Sequence, residues 1–201
     1  MTASPITFWF DFASGYAFFA AREIDALGAR VGRPVLWRPF LLGTAFRVTG
    51  GRGLSSTPLK QDYARRDWQR LARRAGIVLA PHANHPANTL PAARAFYWID
   101  ARDPELARRF ARDVFDGIFT AGLDGASAEA IADRAAALGI DRAVLLAGLA
   151  DPALKEQVKR ISEEAVAGGV FGSPFFVVDG EPYWGADRMG MMEEWIRSGG
   201  W

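Results

Sequence analysis

A chain of 201 residues with 50% hydrophobic and 12% aromatic side chains can bury one sizeable core, which excludes a disordered segment and leaves room for one domain carrying a large insertion. Its 24 basic and 23 acidic side chains leave a net charge of +1, so no global field draws it to nucleic acid or to an anionic bilayer. The absence of cysteine excludes disulfides, thiolate metal sites and a thiol nucleophile of the protein's own. Thiol chemistry here needs an imported thiol.

The start, MTASPITFWFDF, has neither a basic leader nor a long apolar run, and no stretch approaches the roughly 20 apolar residues of a membrane span. A soluble, cytoplasmic protein is expected. Ile6 to Phe12 reads as a buried strand of β-branched and aromatic residues. From Ser14 the apolar period becomes helical through Tyr16, Ala17, Phe19, Ala20, Ile24 and Leu27, with Ser14 as N-cap and Gly28 and Gly32 as stops. Pro34 opens a second strand, Val35 to Leu42, and a glycine-rich loop from Gly43 to Thr57 follows; the whole is a βαβ unit.

Six helical stretches come next: 61–75, 90–101, 104–121, 128–138, 141–149 and 152–167. Gly76, Gly139 and Gly168-Gly169 sit at their ends, and Asp103-Pro104 and Asp151-Pro152 are N-cap and first-turn pairs. The β signal then returns in GVFGSPFFVVDGEPYWG as strand, Asp179-Gly180 turn, strand, and a closing helix starts near Asp187, whose carboxylate can cap it. The order βαβ, helical block, ββα is that of a thioredoxin-like α/β sheet domain, 1–57 and 168–201, with an all-helical insertion, 58–167.

His82 and His85, in PHANHP, are the only imidazoles. With no third histidine ligand they read as two solvated loop rings, and no metal is expected. Arg65-Arg66, Arg73-Arg74 and Arg108-Arg109 have the spacing of wet helix faces, and Gly50-Gly51-Arg52-Gly53 reads as a mobile loop.

Chemistry is expected at the turn after the first strand. A thioredoxin-like fold puts its reactive position at the first helix start, where unpaired N–H groups and the helix dipole favour a thiolate. Ser14 and Ala17 hold the spacing that two cysteines take in redox members, so disulfide exchange is impossible. Ser14 either only caps the helix or also donates to a ligand's thiolate. Ser173-Pro174 leads a strand that proline cannot extend by donation, which suits a cis-proline loop facing the helix start, with the backbone of Ser173 free to pair with a peptide-like ligand. Trp184-Gly185-Ala186-Asp187-Arg188 offers helix-start amides and a carboxylate for the polar end of such a ligand; as the alternative, Asp187 is a cap and Arg188 is solvated.

FDFASGYAFFA, LLGTAFRVTG, KQDYARRDWQR, HPANTLPAARA and GVFGSPFFVVDGEPYWGADR, in that order over nearly the whole chain, resemble the 2-hydroxychromene-2-carboxylate isomerase family, which belongs with kappa-class glutathione transferases and thioredoxin-like disulfide oxidoreductases. The resemblance implies a glutathione-dependent isomerase of aromatic degradation, a homodimer, that turns a hydroxychromene carboxylate into a hydroxybenzylidenepyruvate. It implies Ser14 at the glutathione sulfur, Ser173 and Pro174 along the tripeptide, and Trp184, Gly185, Ala186 and Asp187 at its other end. Arg47, Asn88 and Thr89 fall at the aromatic carboxylate substrate. The family's Ser-Pro turn is Ser14-Gly15 here, its lysine is Arg47, and the asparagine after the threonine-glycine pair is Gly51, so the glutathione side is the better preserved. A kappa-like transferase that releases a glutathione adduct, or a non-catalytic glutathione or peptide-binding module, are the alternatives.

Overall fold

Alternation in ITFWF turns Ile6, Phe8 and Phe10 of strand β1 (Ile6–Phe10) to one buried face, with Thr7 and Trp9 half-buried on the other. In the computed structural model, which describes residues 4–201, β1 is an inner strand of a four-stranded sheet with β2 (Val35–Pro39), β3 (Phe175–Val178) and β4 (Glu181–Trp184), in the order β2-β1-β3-β4. Helix α1 (Gly15–Arg30) is the crossover that lets β2 lie parallel to β1. β3 is antiparallel to β1, and β4 to β3. Asp179 and Gly180 take φ of 51° and 86°, the left-handed pair that a two-residue hairpin turn requires.

Both strands of the βαβ unit stop short of their expected ends. After Phe10, the Asp11 amide turns away to the Ser173 hydroxyl; at the end of β2, Pro39 has no N–H to offer a ladder.

Cross-strand aromatic pairs build the core. Phe8 lies opposite Trp37 on one side and Phe176 on the other, with ring centroids 5.1 and 5.3 Å away. Helices α3 (Lys60–Ala75), α4 (Leu90–Asp100), α5 (Pro104–Thr120), α6 (Ala128–Ala137), α7 (Arg142–Leu149) and α8 (Pro152–Ala167) fall where their caps and glycines indicate, and Asp103, Ser127, Asp141 and Asp151 each accept a first-turn amide. Phe96 of α4 and Phe115 of α5 reach Phe10 at 6.1 and 5.4 Å, so the helical block and the sheet share one core. A smaller cluster of Phe40, Ala165, Val170 and Phe175 covers the opposite face. Among the described residues no helix is long and apolar enough to cross a membrane.

Three local expectations need correction. The expected loop 43–57 contains helix α2 (Leu42–Thr49) and a 3-10 turn, Leu54–Ser56. The closing helix α9 (Met189–Ser198) follows a 3-10 turn, Ala186–Arg188; its N-cap is Arg188, and no side chain caps it, so Asp187 is not the cap. The two histidines differ: the His82 ring accepts the Asn84 amide at 3.2 Å, whereas His85 tucks between Trp68 and Phe119, 5.8 and 5.0 Å between centroids. His85 is partly buried against these two rings.

Helix α3 meets the start of α1 where Trp68 lies flat against Gly15. A Cβ at Gly15 would come within 2.7 Å of Trp68 Cδ2, so this indole occupies the space of any side chain there. Glycine inside a helix usually costs about 1 kcal/mol relative to alanine. Here Gly15→Ala should instead destabilise by about 1–3 kcal/mol through overpacking, and Trp68→Leu added to it should recover part of the loss; urea unfolding of the single and double variants checks this. Burial lowers the His85 pKa from 6.5 to about 4. Between those values the unfolded chain binds a proton that the folded chain does not, so stability falls as pH falls through the window. His85→Phe should flatten this part of the stability curve, as measured by denaturant midpoints at pH 7, 5.5 and 4.5.

Candidate functional site

The C-terminal end of β1, the start of α1, the loop before β3 and the head of α2 converge on Asp11. A carboxylate at the end of an aromatic strand is buried to 8% exposure, and it survives there only with donors around it. It has three. Oδ1 accepts the Ala13 amide at 2.9 Å and the Thr89 hydroxyl at 2.8 Å; Oδ2 accepts the Leu42 amide at 2.8 Å. Burial raises the Asp11 pKa, and the same three donors oppose the rise.

The backbone of Asp11 serves the other half of the site. Its N–H donates to Ser173 Oγ at 2.8 Å, and its C=O accepts the Ser14 amide at 2.9 Å. Ser14 is the N-cap of α1: Oγ accepts the Ala17 amide at 3.2 Å while the hydroxyl donates to the Ser173 carbonyl at 2.8 Å. The Gly15 and Tyr16 amides have no intrahelical acceptor in this first turn. The Ser173-Pro174 bond is cis, and the Pro174 carbonyl accepts the Gly185 amide at 3.0 Å, which ties the end of β4 to the same loop. The Ser173 carbonyl is therefore engaged by Ser14 rather than free.

Ser14, Ser173, Pro174 and Gly185 are thus joined directly. Gly185 has φ 106°, and a Cβ there would run into the Asp187 carboxylate, which leans back over it. Asp187 is exposed, and so is Trp184, whose indole covers Gly172 and meets Phe171 at 4.9 Å. Ala186 opens the 3-10 turn beside them.

Of the remaining residues only Thr89 touches Asp11; Arg47 and Asn88 bond elsewhere. Thr89 is buried with its hydroxyl on that carboxylate. Asn88 is exposed, and its Oδ1 accepts the Leu90 amide at 3.1 Å at the head of α4. Arg47, in the last turn of α2, is exposed and donates to Thr44 Oγ1 at 3.3 Å. Asp11 itself escaped the sequence reading. An acid inside FWFDFA was the available signal, since such a group has to find several donors once buried. Tyr16 was also missed: its hydroxyl donates to Asp67 at 3.0 Å, and burial raises its pKa.

Residues 5–197 match the DSBA-like thioredoxin domain. The 2-hydroxychromene-2-carboxylate isomerase of Sphingobium xenophagum is 25% identical over 193 residues, 95% of this chain and 97% of that protein. A solved 2-hydroxychromene-2-carboxylate isomerase superposes with a TM-score of 0.86 at 26% identity, over 96% of this chain and 94% of the other. A cytosolic disulfide reductase of Pseudomonas aeruginosa, solved with GSH, shares the fold at a TM-score of 0.63 and 15% identity, over 97% and 96% of the two chains. With the match spanning all but the ends of the sequence, the chain belongs to the DSBA-like thioredoxin domain family.

Proposed function

We propose that the protein is a glutathione-dependent isomerase that converts 2-hydroxychromene-2-carboxylate-like substrates into hydroxybenzylidenepyruvates in aromatic degradation. The observation that carries this reading is the pairing of the Ser14 hydroxyl, at the head of α1, with the cis Ser173-Pro174 loop in a chain that has no cysteine. The isomerases named above, at 25 and 26% identity, support the reaction class.

The residues present fit glutathione by the chemistry of their donors. One hydroxyl and the free Gly15 and Tyr16 amides face a position where a helix start favours an anion. Glutathione would supply a thiolate whose reversible addition to a conjugated C=C permits rotation, with no net redox change. The Ser14 hydroxyl turns from the Ser173 carbonyl to the sulfur and lowers its pKa, while Ser14 Oγ keeps the Ala17 amide. Ser173 and Pro174 hold the tripeptide backbone, and Trp184, Gly185, Ala186 and Asp187 its far end. Arg47 and Asn88 orient the carboxylate and carbonyl of the aromatic substrate, beside Thr89 on the same substrate side. Each of these roles is a polar contact to a charged or carbonyl group, the kind that removal weakens measurably.

The decisive experiment mixes protein, reduced glutathione and a hydroxychromene carboxylate. Product should form without consumption of glutathione; stoichiometric loss of the thiol means a transferase, and glutathione heat in calorimetry with no turnover means a binding module. For Ser14→Ala, kcat should drop strongly at pH 7 and less at pH 9, because a free thiol of pKa about 8.5 ionises there unaided. The same variant should lose about 0.5–2 kcal/mol of stability as its cap disappears. A rate near wild type at both pH values would leave Ser14 as a cap alone.

A further inference from the structure

We propose that Asp11 is a positioning residue that joins the two halves of the site, its backbone setting the glutathione half and its carboxylate the substrate half. The inference rests on the functional reading above for the names of the halves, but the division itself is geometric. Asp11 N–H and C=O engage Ser173 Oγ and the Ser14 amide, at 2.8 and 2.9 Å. Its carboxylate engages Thr89 and Leu42, both at 2.8 Å, and the Ala13 amide beside Ser14.

Two of the three carboxylate partners stand at helix starts next to residues expected at the aromatic substrate. Leu42 is the first residue of α2, which bears Arg47 in its last turn. That helix has Leu41 at its N-cap and no side chain capping it from nearby, so Asp11, 31 positions earlier, supplies the acceptor that its first amide needs. Thr89 occupies the N-cap position of α4 and donates its hydroxyl to Asp11, and its neighbour Asn88 accepts the Leu90 amide, the first of α4. One oxygen therefore sets the seat of Arg47 and the other the seat of Asn88. Three donors and no acceptor face this carboxylate, so nothing smaller or uncharged replaces it without orphaning a buried group.

Asp11→Asn tests the division because its side chain is isosteric and its backbone is unchanged. With the amide oxygen kept on Ala13 and Thr89, the new NH2 group faces the Leu42 N–H, and the head of α2 is released. The expected result is a KM for the hydroxychromene carboxylate raised about tenfold or more, a glutathione Kd within about twofold of wild type, and faster hydrogen exchange of the Leu42 amide. Thr89→Val, which cuts the other arm and keeps the volume, should raise the same KM while leaving Leu42 exchange unchanged; it also provides the test if Asp11→Asn does not fold. A structural role alone lowers the melting temperature and moves neither KM. Unchanged KM in a folded variant, or unchanged Leu42 exchange in Asp11→Asn, overturns the proposal, whereas wild-type protein that takes up no glutathione in calorimetry overturns the functional reading and leaves the exchange result to decide whether Asp11 holds α2.

Discussion

A carboxylate withdrawn from water must collect hydrogen-bond donors or give up its charge, and this requirement on Asp11 organises the site. Within the described residues its donors come from three places in the sequence: the turn at Ala13, the head of α2 at Leu42 and the head of α4 at Thr89. None of these segments is adjacent to another in the chain. Their meeting is possible because the aromatic face of β1 is already the centre of the core, with Phe8 and Phe10 joined to rings from β2, β3, α4 and α5. Nonspecific burial brings the segments close, and the directional bonds at Asp11 then fix how they face one another. An apolar residue at position 11 would keep the first effect and lose the second.

The same division explains what the sequence discloses. Periodicity and local caps locate α1 and α3 to α8 because their signals lie within each helix: Ser14, Asp103, Ser127, Asp141 and Asp151 each cap the helix they begin. The Asp179-Gly180 hairpin is equally local. Helix α2 is opaque for the opposite reason. It starts at Leu42 with a leucine at its N-cap, contains Gly43, and takes its acceptors from Asp11 and, for the Leu41 amide, from Ser162 Oγ at 3.0 Å, 121 residues away. Reading left to right, nothing marks a helix start. The burial of His85 is likewise a tertiary fact, since its walls are Trp68 from α3 and Phe119 from α5.

The candidate site was legible in part. Ser14, Ser173 and Pro174 can be placed together from the fold, because the end of β1 and the start of β3 are neighbours in the sheet. Arg47, Asn88 and Thr89 came from resemblance, and no spacing in the sequence relates them to Ser14. Thr89 meets the Ser14 side of the site at Asp11, which a reading by residue type passes over because one acid in an aromatic run looks like an interruption. Trp68 fills the space beside Gly15, where a side chain would collide with its ring. A glycine at that position and an indole on α3 are one packing solution spread over two elements.

Ser14 brings these constraints to the chemistry. Under the proposed function, capping and sulfur recognition would use different parts of one hydroxyl, since the oxygen accepts the Ala17 amide while the hydrogen can turn to another acceptor. In the protein alone that hydrogen points to the Ser173 carbonyl. A thiolate arriving at the helix start offers a charged acceptor, and a charge-assisted bond is roughly twice as strong as a neutral one. The exchange of acceptors would require only rotation about the Ser14 Cβ–Oγ bond and would leave the cap on Ala17 in place. A cysteine at this position would have brought its own sulfur and with it the capacity for disulfide exchange. Serine removes that capacity while keeping the helix start and the donor, so in the proposed function the sulfur would have to arrive with the ligand.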